Sequence, residues 1–135
     1  MNRLLSQTAR RLRAGFSMVE MIACVSIIGI IAFLAIPSIT RMRGDSERNL
    51  AIARAESLNL AQATFIQVRG RTQAALDWTN AGGAEARYAL LRPYLSYAEN
   101  NLAAYFPSGY SVIFPASITS MTKATLNGPS GTIPY

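Results

Sequence analysis

Histidine is absent from the chain and cysteine occurs once, at position 24. Without histidine the commonest acid–base group and metal ligand is missing, which removes Ser–His and Cys–His nucleophile systems and most zinc sites. A single cysteine inside an apolar run allows no intrachain disulfide and no thiolate cluster. Acidic residues are also few, 7 against 13 Lys and Arg. Asp45, Glu47, Glu56 and Asp77 stand at no spacing that suits paired acid–base work, and no phosphate-cradling glycine loop is present. Enzymatic activity is therefore not expected, and neither a cofactor nor a metal is expected. A chain of 135 residues has room for one small domain and an anchor, since about 100–150 residues is the usual single-domain size.

What is present is one long apolar run behind a basic start. Arg3, Arg10, Arg11 and Arg13 precede Gly15, and subtracting them from the net charge of +6 leaves +2 for everything that follows. Residues 1–15 are polar and basic with no sustained apolar face, the character of a targeting or processing segment rather than of folded structure. Met18 to Ile36 is a stretch of 19 residues, which at about 1.5 Å per residue makes roughly 28 Å of helix, near the thickness of a hydrocarbon core. The small-residue cleavage site of a secretory signal is poorly matched by Pro37-Ser38-Ile39, so a span is predicted over 16–39. The arginines ahead of it place the N-terminus in the cytoplasm and the rest of the chain outside, with Arg41 and Arg43 opposing that bias weakly. Glu20 is the one charge near the start of the span. A carboxylate at membrane depth costs up to roughly 3 kcal/mol at a helix centre and less near an interface, so Glu20 calls for a partner. Gly29 and Pro37 are the predicted points of helix flexibility, because glycine weakens a helix interior and proline removes a backbone donor.

After Pro37 the chain turns polar, then a helical pattern resumes. Leu50, Ala53, Ser57, Leu60, Ala61, Thr64, Phe65 and Val68 recur at threes and fours, which predicts an amphipathic continuation over 40–69 with this stripe buried. Gly44 followed by Asp45-Ser46 leaves open a fresh helix start there. Residues 70–135 form a small head: helices over Thr72–Thr79 and Glu85–Leu91 joined at Asn80-Ala81-Gly82-Gly83, then strands over Tyr110–Phe114 and Met121–Leu126 before the Gly128-Pro129 turn. The expected fold class is α+β: a long N-terminal helix, membrane-spanning in its first half and amphipathic in its second, with a head of short helices and a two- to three-stranded antiparallel sheet.

Ala14-Gly15 followed by Phe16-Ser17-Met18-Val19-Glu20-Met21-Ile22 and the long apolar helix closely resembles the N-terminal signal of type IV prepilins and type II secretion pseudopilins. The likeness covers about residues 10–40: a basic leader, glycine before an aromatic residue, glutamate five positions after that glycine, and an apolar span containing a proline. It implies cleavage between Gly15 and Phe16 by a prepilin peptidase, methylation of the new Phe16 amine, and pairing of Glu20 with the terminal ammonium of a neighbouring subunit. It also implies membrane lipid around the helix before assembly, and then partners in copies of itself, other pilin-like subunits and an inner-membrane assembly platform. The location would be the bacterial inner membrane, single-pass with the head periplasmic, and then a periplasmic filament. The head lacks a disulfide-closed loop, which favours a secretion pseudopilin over an adhesive pilin. After Glu85 only Glu99 remains as a carboxylate, which departs from the calcium site of major pseudopilins.

Two other functions compete. Trp78, Tyr88, Tyr94, Tyr97, Tyr105, Phe106, Tyr110 and Phe114, interleaved with Arg69, Arg71, Arg87 and Arg92, could stack and neutralise single-stranded DNA, as a competence-type pilin would need. Core packing is the simpler use of aromatics in a small head with scattered arginines, so nucleic acid is not expected among the partners. The remaining alternative is a bitopic anchor that keeps its leader.

Overall fold

The structure, a computed structural model, describes residues 15–135. The leader predicted over 1–15 lies outside the described residues except for Gly15. The chain divides after Thr40 into two compact units.

Helix α1 runs Met18–Arg69, a length of 52 residues. It is unbroken at Gly29, Pro37 and Gly44, so the fresh start after Gly44 does not form. A lone glycine costs a helix only about 1 kcal/mol, and the Arg, Glu, Leu and Ala residues beyond Gly44 favour helix. Thr40 Oγ1 donates to the Pro37 carbonyl at 3.0 Å. Gly70 is where the helix stops. Its φ of 80° and ψ of 149° lie in a region almost confined to glycine.

Within the first unit, Gly15–Thr40, no described residue is buried. α1 is long and apolar enough here to cross a membrane.

The second unit contains the rest of α1, then α2 (Arg71–Ala81), α3 (Ala84–Leu91), a single 3₁₀ turn at Arg92–Tyr94 and α4 (Leu102–Tyr105). Strands β1 (Ser111–Ile113), β2 (Thr125–Gly128) and β3 (Gly131–Ile133) form an antiparallel sheet in that order, with Val112 opposite Leu126 and Leu126 opposite Ile133. The chain is thus α+β, a long N-terminal helix plus short helices and a small sheet. The β2–β3 turn is tight because Gly128 leaves room where a Cβ would come within 2.8 Å of Ile133 Cδ1.

Three expectations need correction. The buried face of α1 is Ala51, Ala55, Leu58, Ala61, Gln62 and Phe65, whereas Leu50, Leu60 and Val68 are exposed. Only Ala61 and Phe65 of the predicted stripe are buried. Alanines let the helix backbone approach the head closely, and the bulk is supplied from the other side by Trp78, Tyr88, Leu91, Ile118 and Leu126. The second strand begins at Thr125 rather than Met121, because Ala124 is fastened to a side chain of α1 instead of to a strand. Finally, α4 forms unannounced; Asn101 caps it, its Oδ1 accepting the Ala104 N–H at 2.7 Å, but one turn is too short to show a period.

Side chains of α1 hold the head. Asn59 Oδ1 accepts the Ala124 N–H at 2.9 Å, and Asn59 Nδ2 donates to Tyr135 Oη at 3.2 Å. Tyr135 in turn donates to the Ala124 carbonyl. Asn59 and Tyr135 together satisfy the backbone of Ala124 as a neighbouring strand would. Arg54 donates to the Tyr105 carbonyl and lies 5.2 Å from that ring's centroid. Across the core, the Pro115 carbonyl accepts Trp78 Nε1 at 2.9 Å and Arg87 Nη1 at 3.2 Å, which ties α2 and α3 to the segment after β1.

Candidate functional site

The residues on which the resemblance to a prepilin signal rests stand at the start of α1. Gly15, Phe16 and Ser17 precede the helix, and Met18 is its first residue. Phe16 is 77% exposed, and among the described residues nothing lies within 4 Å of the place a Gly15 side chain would take. The Gly15–Phe16 peptide is therefore outside the helix and uncovered by any described residue.

Ser17 and Glu20 set that boundary reciprocally. The Glu20 N–H donates to Ser17 Oγ at 3.1 Å, and the Ser17 N–H donates to Glu20 Oε2 at 3.3 Å. This is a capping box, in which a Ser and a Glu three residues on each satisfy an amide that the helix leaves free. Glu20 has no ion-pair partner among the described residues, where the sole pair is Arg69–Asp77 at 3.9 Å. Its carboxylate accepts one backbone amide, that of Ser17, and has lone pairs left to accept a further donor.

The structure brings Gly15, Phe16 and Glu20 together at one helix end, while Gly29 and Pro37 are farther along α1 and belong to no cluster with them. Ser17 is the residue the sequence reading missed. Its signal, Ser followed three positions later by Glu at the head of an apolar run, is readable in the sequence as a cap.

Around the span, the large apolar side chains from Met18 to Ile39 are all exposed, among them Val25, Ile31, Phe33 and Ile36. In the second unit, Leu50, Ala53, Ser57, Leu60 and Val68 form an exposed stripe along α1, on residues other than those that face the head. Such alternation of three and four residues is what helix-to-helix packing uses.

The DNA-binding constellation is dispersed. Trp78, Tyr88, Tyr105, Phe106 and Phe114 are buried. Arg87 is spent on Pro115 and on the Trp78 face, 5.2 Å from the ring centroid, and Arg69 faces Asp77. Burial raises the hydroxyl pKa of Tyr88, Tyr105 and Tyr135 above its ordinary value, against the opposing effect of hydrogen bonds and, for Tyr105, of the Arg54 charge. These tyrosines are structural.

No family model matches the chain, and no curated protein and no solved structure is significantly similar to it.

Proposed function

We propose that this chain is a pilin-like structural subunit, cut between Gly15 and Phe16 by a prepilin peptidase, methylated on Phe16, and assembled with copies of itself and other pilin-like subunits into a pseudopilus-type filament for type II secretion. The observation that carries this reading is the pairing, at one helix end, of a Gly15–Phe16 peptide that precedes the helix with a Glu20 carboxylate that has no cationic partner among the described residues. Cleavage would create that cation as the ammonium of Phe16 on a neighbouring subunit. At an effective dielectric near 20, a contact of about 4 Å between the two is worth on the order of 4 kcal/mol before desolvation is subtracted, so its main role is to set register. Loss of the arginine-rich leader would let the apolar helix leave the bilayer for a filament. The exposed apolar residues of the span and the Leu50–Val68 stripe give such a filament its lateral surfaces.

N-terminal sequencing of protein extracted from membranes tests the reading directly. The expected first residue is N-methylated Phe16. A chain that still begins at Met1 overturns the proposal in favour of an unprocessed anchor. Glu20→Ala is expected to leave cleavage largely intact and to impair assembly, whereas Gly15→Ala is expected to slow cleavage. Glu20→Gln separates the two roles of this residue, because glutamine keeps the capping box with Ser17 while removing the charge. Normal filaments in Glu20→Gln would defeat the ion-pair assignment.

A further inference from the structure

We propose that the groove beside β1 binds an extended, basic segment of another protein, which adds to the sheet as a fourth strand. This site is separate from the helix end described above and does not depend on the filament reading. β1 is an edge strand whose ladder goes to β2 alone. Among the described residues its outward backbone groups make no backbone hydrogen bond elsewhere, and unpaired strand edges of this kind are templates for another extended chain.

The edge opens onto a groove of about 520 Å³ lined by Glu85, Leu102, Phe106, Tyr110, Ser111 and Val112. Three of its properties specify the occupant. The free strand edge asks for an extended backbone, and Leu102, Phe106 and Val112 offer apolar surface to one of its side chains. Glu85 asks for a cation. Among the described residues its two carboxylate oxygens accept only the Leu102 N–H, at 3.0 and 3.1 Å, and no Lys or Arg is within ion-pair distance of it. The groove at the β2–β3 hairpin holds Arg48 instead, which would repel the same segment.

The test uses the full chain in detergent micelles and a fluorescent peptide of eight residues alternating valine and lysine, followed by anisotropy and by amide hydrogen exchange. The peptide is expected to bind about fivefold more tightly than its valine–glutamate counterpart, the scale of a partly exposed ion pair, and to slow exchange at amides within Ser111–Ile113. Glu85→Gln keeps an acceptor for the Leu102 N–H, so the fold survives, and is expected to shrink the preference to within about twofold. Methylating every backbone nitrogen of the peptide is expected to abolish binding, because a strand without N–H groups on either edge cannot join β1. Equal binding of the methylated peptide, an unchanged preference in Glu85→Gln, or unaltered exchange in β1 would each overturn the proposal.

Discussion

The two halves of α1 are both rich in apolar side chains, yet they meet their surroundings differently. Between Met18 and Ile39 the large apolar residues are 56–81% exposed on every side of the helix. Between Ala51 and Phe65 the helix buries a narrow face made mainly of alanine, while the larger Leu60 on the same stretch stays 70% exposed. Burial in the second half follows the shape of what packs against it rather than the hydrophobicity of the residue. Large aromatics in the head require small residues opposite them, because protein interiors tolerate neither voids nor overlap. In the first half no such partner exists among the described residues, which leave the apolar surface open to lipid or to other helices.

The contrast can be tested most severely at Trp78. Its indole is fully buried, holds the Pro115 carbonyl and meets Phe114 edge to face with ring centroids 5.6 Å apart. Trp78→Ala is expected to destabilise the head by about 3–5 kcal/mol, read as a lower urea midpoint, while helical circular dichroism from the apolar half persists in micelles. Loss of both together would mean that the halves fold as one.

Adjacent residues on α1 give the next comparison. Asn59→Ala removes the acceptor of the part-buried Ala124 N–H and a partner of Tyr135, and is expected to cost about 2 kcal/mol. Leu60→Ala, one residue on and exposed, is expected to change stability by no more than about 0.5 kcal/mol. Equal losses by chemical denaturation would contradict the assignment of faces. Gly70→Ala places a side chain at φ 80°, ψ 149° and should cost about 1–2 kcal/mol, seen as a drop in melting temperature of the head with α1 unaffected. The smallest effect at neutral pH is that of buried Tyr88 and Tyr105 and half-buried Tyr135, which is zero until alkali is reached. Because folding raises the pKa of Tyr88, Tyr105 and Tyr135 above 10.0, the folded state holds their protons more tightly than the unfolded state. Their contribution is complete below about pH 10 and is lost as pH rises through the folded values. Tyrosinate absorbance should therefore appear together with loss of near-ultraviolet dichroism, later than in a free tyrosine mixture.

Local chemistry was sufficient for much of this molecule. The apolar run, the helix over Met18–Arg69, the helices on either side of Gly82-Gly83 and the turn at Gly128-Pro129 each rest on residues that act within a few positions of themselves. Glycine at φ 80° ends a helix whatever lies nearby, and Ser17 caps Glu20 through neighbouring atoms alone. The choice of buried face on α1 needed the tertiary structure. Residues 50–68 carry apolar side chains on two faces, periodicity marks both equally, and only the relief of the head decides which is covered. The same holds for Arg54, Asn59 and Arg87, whose partners lie 51, 65 and 28 residues away. It holds as well for the open edge of β1, because a strand's position in a sheet depends on which segments fold beside it and not on its own residues alone.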